Sequence, residues 1–352
     1  MIPPRTRLPP GRRPALGFGK AIPNRAPVRA ATARARQGDV MADQPLRAKP
    51  SLLLRAAPFV FVLLWSSSFI AAKIGLRHLS PLAFVAIRLS GCAAVLLVAM
   101  LLRGESWAPL RGRRWLDCAI AGTLINGVGL MAPHVGLMLV APAPIALVQS
   151  LTPLLTALLG IPVLGERLRA LQWAGMGLGV LGVALVVGLA AAHSTAQLDG
   201  LALAGVGVMG LVAGTLWFGR FCRGIPLLPG ATAQFLAAAA VSVLAAATLE
   251  TPRLDWTTGA VAAVAWNTLA VSLGGMALYF VLLRQGTAAR VTANFYLVPG
   301  TTAIVTWLFL GERLTPLAIA GFVVAGIGCW LVSRPPRPRG REAPADARGA
   351  SR

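Results

Sequence analysis

The sequence predicts an all-α membrane protein with ten transmembrane helices arranged as two inverted five-helix repeats. Three observations predict this fold: the composition, ten apolar stretches of bilayer-spanning length, and a motif that recurs late in the chain. Of the 352 residues, 56% are hydrophobic and 12% are charged, with a mean hydropathy of +0.71. A soluble domain carries about 25% charged residues. The composition therefore excludes an ordinary cytosolic enzyme.

The apolar stretches set the predicted helices. A bilayer core about 30 Å thick requires about 20 apolar residues per helix, and several connectors here are so short that consecutive helices should be antiparallel neighbours. The expected spans are 56–75, 81–102, 115–138, 143–164, 170–190, 200–219, 230–249, 259–283, 288–310 and 315–333.

The net charge of +22 is concentrated in the two tails. Residues 1–55 carry a net charge of +10 and residues 334–352 one of +4. Basic tails beside apolar spans favour anionic lipid headgroups and the cytoplasm, so the expected partner is the lipid bilayer and not nucleic acid. Residues 1–55 are predicted to be a disordered tail. Within it, 1–40 is either a real tail or upstream sequence translated before a start at Met41.

The basic residues of the connectors predict the orientation. With a cytoplasmic N-terminus, the inner connectors hold ten arginines and the outer ones hold Arg77, Arg253 and Arg313. This ratio obeys the positive-inside bias. We therefore expect both termini, including the basic tail 334–352, on the cytoplasmic side of the membrane.

An internal repeat is the most informative feature of the chain. The pentapeptide LGERL at 164–168 recurs at 310–314, an offset of 146 residues. An odd number of helices per copy makes the second copy enter the membrane from the opposite side, which is a recurrent plan of secondary transporters. The predicted repeats are 56–190 and 200–333. Further identities at the same offset include Pro153 with Pro299, Gly175 with Gly321, and Gly182 with Gly328.

These residues resemble the EamA branch of the drug/metabolite transporter superfamily. The resemblance rests on Arg88, on the mid-helix prolines, and on the Gly-Glu-Arg motif that follows the fourth and ninth helices (Gly165, Glu166, Arg167; Gly311, Glu312, Arg313). It implies a ten-helix inner-membrane carrier, often an exporter of amino acids or other small metabolites. The Glu-Arg pairs are expected to cap helices and brace the gates, not to touch substrate.

The paired prolines point to a substrate cavity. Pro153 and Pro299 free the carbonyls of Gln149 and Phe295, which should then face protein or a wet cavity. The alternative is that the prolines only bend helices and that nearby polar residues make packing contacts. Ser68 and Thr215 are further polar residues within the predicted first and sixth transmembrane spans. The candidate lining residues are Trp65, Ser66, Arg88, Asn126, His134, Gln149, Pro153, Trp217, Asn267, Tyr279, Asn294, Tyr296 and Pro299.

Charged residues within the predicted spans are few. Lys73 is expected to extend toward the membrane surface, whereas Arg88 lies roughly 10 Å deep by the helical rise and is expected to bind a substrate carboxylate or to brace the cavity. His134 is either a helix–helix hydrogen-bonding residue or part of the transport site. No carboxylate is expected near the midplane, so a proton relay of the usual kind lacks its central member.

Other motifs carry no chemistry. Two glycine patterns, at 177–182 and 205–210, match a dinucleotide fingerprint but lack the preceding strand, so close helix packing is expected instead. The four scattered cysteines support neither a metal site nor a disulfide, and no cofactor is predicted. The inverted repeat predicts a secondary transporter that works by alternating access, and the family resemblance implies that it exports a small metabolite such as an amino acid or a related compound. The alternatives are a membrane-embedded enzyme acting on lipids or isoprenoids, and a scaffold.

Overall fold

The computed structural model describes residues 52–164, 170–278, 297–311 and 315–332. The chain divides into two units, Met1–Leu52 and Leu53–Arg352, and apart from Leu52, the first residue of α1, the helices below belong to the second. Of the predicted N-terminal tail 1–55, residues 1–51 lie outside the described residues and 52–55 are helical; the predicted C-terminal tail 334–352 also lies outside them.

The described part of the chain is helical throughout. Its only β-type pairing is an isolated antiparallel bridge between Leu79 and Leu254. The helices are α1 (Leu52–Gly75), α2 (Pro81–Leu102), α3 (Arg113–Gly136), α4 (Pro142–Val163), α5 (Ala170–His193), α6 (Thr195–Phe221), α7 (Leu227–Leu249), α8 (Thr258–Leu278), α9 (Val298–Leu310) and α10 (Pro316–Val332).

Within the described residues, seven helices are long and apolar enough to cross a membrane. They are α1–α4 and α6–α8, while the apolar segments Ala170–Val186, Val298–Leu310 and Pro316–Gly328 are shorter. The prediction of an all-α, multi-pass membrane protein is therefore confirmed. The count of ten crossings stays a prediction.

Local sequence explains several helix ends. Proline occupies the first turn of α2, α4 and α10, where its missing N–H has no helical partner to lose. Ser194 begins α6 by accepting a 3.1 Å hydrogen bond from the amide of Ala196. Gly311 ends α9 in the left-handed conformation at φ 69°, with its amide donating to Trp307 over 3.1 Å. That backbone favours glycine, which accounts for this member of the repeated motif.

Three helices depart from regular α geometry. α4 is interrupted by a turn at Ser150 and Leu151. α3 and α8 contain π-helical segments, Thr123–Val128 and Trp266–Gly274. Val128 and Gly274 stand at the repeat offset of 146, so the two π-helical segments end at equivalent positions. The helical period of the sequence did not predict them.

Helices at equivalent positions of the two predicted copies pack together: α2 against α7, α4 against α9, and α5 against α10. The α5–α10 contact is antiparallel, because Gly182 meets Gly321 while Gly175 meets Gly328. A Cβ on Gly182 would lie 2.6 Å from the Gly321 carbonyl oxygen, and one on Gly328 would lie 2.5 Å from that of Gly175. Only glycine allows such an approach. The 177–182 pattern thus includes a helix-packing glycine, as expected.

The second glycine pattern belongs to the contact of α6 with α3. A Cβ on Gly210 would lie 2.9 Å from the Leu124 carbonyl oxygen, and one on Gly207 would lie 2.4 Å from the Pro133 ring. The small residues of α6 therefore bring it against the π-helical segment of α3 and the α-helical turns that follow it. This close contact positions α3 beside the cavity described below.

At one end of the helix bundle, the α1–α2 connector is tied to the α7–α8 connector. The Glu250 carboxylate accepts hydrogen bonds from Ser80 Oγ and the Ala83 amide, both 2.7 Å, and from the Leu82 amide over 3.2 Å. A carboxylate at a helix N-terminus satisfies free amides and the helix dipole. Arg253 Nη2 adds hydrogen bonds of 3.1 and 3.0 Å to the carbonyls of Leu76 and Arg77. We call this set of contacts the connector clamp.

Candidate functional site

A cavity of about 350 Å³ lies among α1–α4 and α6–α8. Five of the predicted site residues line it: Trp65, Arg88, Asn126, His134 and Gln149. Most of the remaining wall is aliphatic or aromatic, with Ser68, Thr215 and Ser272 as its other hydrogen-bonding side chains. Cavities of this kind, mostly apolar with a few convergent polar groups, are typical of small-molecule sites.

The cavity wall contains pairs of residues that are 146 positions apart in the sequence. Several lining residues of the first copy are matched, 146 residues later, by a lining residue of the second. Such pairing is expected of a cavity at the interface of two related halves. The pairs are Trp65 with Leu211, Phe69 with Thr215, Ile125 with Val271, Asn126 with Ser272, Gly129 with Gly275, and Leu130 with Met276.

Ser272 was missed by the sequence analysis. A lone serine in an apolar helix carries little signal, since its hydroxyl commonly bonds its own helix. Its position 146 residues after Asn126 would have indicated it. Both side chains lie in the π-helical segments of α3 and α8, which are frequent at functional sites.

The serines of α1 divide between cavity and helix contacts. Ser68 lines the cavity and its hydroxyl donates to Asn267 Oδ1 over 2.7 Å, while the Ser66 hydroxyl donates to the Val298 carbonyl over 3.3 Å. Trp266 Nε1 donates to Ser67 Oγ over 2.9 Å. Ser66 and Asn267 were predicted to line the cavity. The structure instead buries both completely in contacts of α1 with α8 and α9.

Pro153, Pro299 and Trp217 are also absent from the described cavity wall. The carbonyl of Gln149 accepts a 2.7 Å hydrogen bond from Thr152 Oγ1, so a neighbouring hydroxyl satisfies the group that Pro153 leaves free. Pro299 is buried in the first turn of α9. Trp217 packs on Phe221, with ring centroids 4.5 Å apart, in a cluster away from the cavity. Both prolines lie in the first turn of a helical segment, and their role in the site stays a prediction.

The other predicted residues lie outside the described part of the chain. They are the cavity candidates Tyr279, Asn294 and Tyr296, and the motif residues Gly165, Glu166, Arg167, Glu312 and Arg313.

Arg88 and His134 are the two basic side chains among the described residues of the cavity wall. Arg88 is only 4% exposed, and its Nε donates to Ser272 Oγ over 3.0 Å. Because Arg88 belongs to the first copy and Ser272 to the second, this hydrogen bond crosses between the predicted repeats. Lys73, in contrast, donates to the carbonyls of Leu137 and Val140 at the end of α3, where a cation complements the helix dipole.

His134 is 5% exposed and is held at two points. Its Nδ1 lies 2.7 Å from the Leu130 carbonyl oxygen, and its ring stacks on Phe84 with centroids 5.6 Å apart. Phe84 precedes Arg88 by one turn of α2. α2 therefore positions the guanidinium and the imidazole on the same side of the cavity.

Groups suited to metal binding are not found among the described residues, where no cluster of three His, Cys, Asp or Glu side chains occurs. Cys92, Cys118 and Cys222 are buried as free thiols.

Comparison with known proteins agrees with this architecture. The EamA-like transporter family matches residues 55–188 and 198–334. The chain is 26% identical over 282 residues to the "uncharacterized inner membrane transporter YedA" of Escherichia coli K12, covering 77% of this chain and 88% of that protein. One crystal structure matches this chain with a TM-score of 0.58 at 22% sequence identity. The match covers 78% of this chain and 95% of the chain in the crystal structure, and it shows the fold alone.

Two other relatives have names that include a cargo. The "probable terminal-alkyne amino-acid exporter" of Streptantibioticus cattleyicolor is 26% identical over 306 residues, covering 80% of this chain and 94% of that protein. The "probable amino-acid metabolite efflux pump" of Salmonella typhimurium is 24% identical over 294 residues, covering 77% and 91%.

Proposed function

The chain belongs to the EamA-like transporter family, and from this premise we propose that it exports an amino acid or a related small metabolite by alternating access between two inverted five-helix repeats. The predicted family resemblance is confirmed, and the chain is a multi-pass inner-membrane transporter. The substrate, the direction and the mechanism are the proposal. The observation that carries it is the cavity wall, in which six pairs of lining residues are 146 positions apart.

The paired wall supports a site at an axis between two halves. If each half contributes the same positions to one cavity, exchanging the conformations of the halves opens the cavity to the opposite side at little cost in free energy. A scaffold or a static enzyme has no need for this symmetry. The antiparallel packing of α5 on α10, with its crossed glycine pairs, supports the inversion.

The connector clamp supports a gate at one end of the cavity. It joins the first copy at Ser80 to the second copy at Glu250 by polar contacts, which can break and reform in water. With the orientation predicted from the connector arginines, this end faces the outside of the cell. In the proposed cycle the clamp holds the outer end closed while substrate enters from the cytoplasm, and its release accompanies export.

The cargo is inferred from size and from the relatives. A volume of about 350 Å³ accommodates one molecule of amino-acid size. Two relatives are named for the export of amino acids or their metabolites. The polar groups Arg88, Asn126 and Gln149 supply the hydrogen bonds that such a molecule needs in an apolar wall.

The test is entrance counterflow in proteoliposomes that contain the full-length protein. Vesicles preloaded with unlabelled L-amino acids are diluted into a mixture of tritiated L-amino acids. Label should accumulate transiently above the level of protein-free vesicles. Gly275→Phe should abolish this accumulation, because Gly275 lines the cavity and a Cβ there meets only the Ala270 carbonyl at 4.0 Å, leaving space for a ring that fills the site.

The matched control is Gly177→Phe. Gly177 lies on an exposed face of α5 and a Cβ there has nothing within 4 Å among the described atoms. Counterflow should survive this substitution. Equal uptake by vesicles with and without protein for every amino acid would reject amino-acid transport, and equal loss in both variants would reject the cavity as its route.

A further inference from the structure

Two residues of the cavity wall each have a buried polar atom without a hydrogen-bond partner in the described part of the chain. These atoms are Nη1 of Arg88 and Nε2 of His134. Both residues line the cavity, and both side chains are more than nine-tenths buried. Buried polar groups in proteins are nearly always paired, and leaving one unpaired is costly. A ligand that pairs with both atoms would remove this cost.

The two atoms have opposite hydrogen-bonding roles. A guanidinium nitrogen can only donate, and the Nε–Ser272 hydrogen bond holds the group in place. The Leu130 carbonyl can only accept, so Nδ1 of His134 donates to it. In the neutral imidazole the other nitrogen, Nε2, then carries a lone pair and accepts. The wall thus offers one charged donor and one neutral acceptor.

The charge of Arg88 is not balanced by the wall. None of the described lining residues is acidic, and the sequence from 279 to 296 contains no Asp or Glu. An arginine at membrane depth normally pairs with an anion or with carbonyl groups, and a guanidinium matches a carboxylate in geometry. The missing counter-charge is therefore expected to come from the ligand.

The acceptor on α3 is linked to the donor on α2 through Phe84. His134 stacks on Phe84, which is one turn from Arg88. A small ligand can reach both residues if its carboxylate and its donating group are on neighbouring atoms. The rest of the wall, including Trp65, Phe69 and Phe235, is suited to an apolar or aromatic body.

We propose that Arg88 and His134 form a two-point anchor for a carboxylate that carries an amino or hydroxyl group on the adjacent carbon. Arg88 Nη1 donates to the carboxylate, and His134 Nε2 accepts from the adjacent N–H or O–H. This assignment rests on the proposed function and specifies the chemistry that the cavity reads. The carboxylate of a 2-hydroxy acid neutralises the charge of Arg88, whereas a 2-amino acid also adds the positive charge of its ammonium group. Both kinds of ligand have a hydrogen-bond donor on the carbon next to the carboxylate.

The experiment uses four probes built on one skeleton: L-phenylalanine, 3-phenyllactate, 3-phenylpropionate and 3-phenylpropan-1-ol. Binding to the full-length protein in detergent is measured by titration calorimetry. Phenylalanine, phenyllactate or both should bind at least about tenfold more tightly than phenylpropionate, because only they offer the second hydrogen bond. The alcohol, which lacks the carboxylate, should bind most weakly. Comparing phenylalanine with phenyllactate shows which donor the site prefers.

Each variant should remove one of the differences in affinity among the four probes. Arg88→Gln should weaken the three carboxylates to the level of the alcohol and leave the alcohol unchanged. His134→Phe, which installs the residue found at the equivalent position 280, should lower the affinity for phenyllactate and phenylalanine to that for phenylpropionate. If Arg88→Gln does not fold, Arg88→Lys and Ser272→Ala test the same donor with smaller changes.

Lys73→Gln is the matched control, because Lys73 is also a base in a helix of the first copy but bonds the carbonyls at the end of α3. The order of the probes should persist in this variant. Equal affinities for phenylpropionate, phenyllactate and phenylalanine, or no binding of any carboxylate, would overturn the anchor. If the anchor is overturned but another substrate shows counterflow, the transport function stands. If the probes bind in the expected order but no counterflow occurs, the anchor stands and transport is rejected.

Discussion

Gly182 of α5 lies against the backbone of Gly321 of α10, so closely that a Cβ on Gly182 would be 2.6 Å from the Gly321 carbonyl oxygen and 2.5 Å from the Ala325 amide nitrogen. Seven residues away along each helix, Gly175 and Gly328 repeat this contact in the opposite sense. Gly175 corresponds to Gly321 and Gly182 to Gly328 at the offset of 146. Crossed pairing of equivalent positions is the contact pattern that a two-fold axis produces.

Gly182→Ala should destabilise the protein. The methyl group would meet backbone atoms of α10, which can move only if the two helices separate, and overpacking of this kind costs about 1–3 kcal/mol. Gly177→Ala on the same helix has open space around it and should be neutral or slightly stabilising, because alanine favours a helix over glycine. Thermal unfolding in detergent measures both. Equal melting temperatures for the two variants would contradict the close contact.

The Ser68–Asn267 hydrogen bond should contribute to stability. Ser68→Ala leaves Asn267 Oδ1 buried without its 2.7 Å donor, and an orphaned buried acceptor costs about 1–3 kcal/mol. The matched substitution is Ser242→Ala, since the buried Ser242 hydroxyl has no partner within the described residues. Removing it should be neutral or stabilising. A fall in melting temperature for Ser242→Ala as large as that for Ser68→Ala would show that the bond has no special role.

Glu250 should stabilise the start of α2. Glu250→Ala removes the acceptor of Ser80 Oγ and of two backbone amides, and the loss of an N-terminal cap costs about 0.5–2 kcal/mol. Glu105→Ala, which changes an acid in the connector at the other end of α2, serves as the control and should have little effect. The melting temperatures of the two variants give the comparison, and an unchanged value for Glu250→Ala would contradict its capping role.

Covalent closure of the connector clamp should stop transport. Leu79 and Leu254 form an antiparallel bridge between the two connectors, so cysteines at both positions can form a disulfide. Oxidation of Leu79→Cys/Leu254→Cys should abolish counterflow, and dithiothreitol should restore it. The two single variants should be insensitive to the oxidant. Full transport by the oxidised double variant would mean that this end need not open.

The orientation can be measured in intact cells. Thr251→Cys lies in the exposed α7–α8 connector and Ser106→Cys in the exposed α2–α3 connector, while the described native cysteines are buried. With a cytoplasmic N-terminus, a membrane-impermeant maleimide should label Thr251→Cys and not Ser106→Cys. Inverted membrane vesicles should show the opposite pattern. Labelling of Ser106→Cys in intact cells would reverse the predicted topology.

The candidate site was predictable where polarity or the repeat marked it. Trp65, Arg88, Asn126, His134 and Gln149 were named from the sequence and line the cavity; their role in transport stays a prediction. Ser66 and Asn267 were named on the same grounds, yet the structure directs them to neighbouring helices. A polar residue in an apolar helix must find a partner, and the helical period does not distinguish a cavity from another helix.

The sequence by itself determined that the chain is a multi-pass, all-helical membrane protein, because composition and span length depend on the bilayer and not on contacts between helices. The repeated Gly-Glu-Arg motif indicated the EamA family. The tertiary structure decided which faces meet. Gly182 opposite Gly321, the π-helical segments that carry Asn126 and Ser272, and the unpartnered atoms of Arg88 and His134 arise from packing between segments far apart in the chain. Such contacts depend on the relative rotation and depth of helices, which local hydrophobicity does not encode.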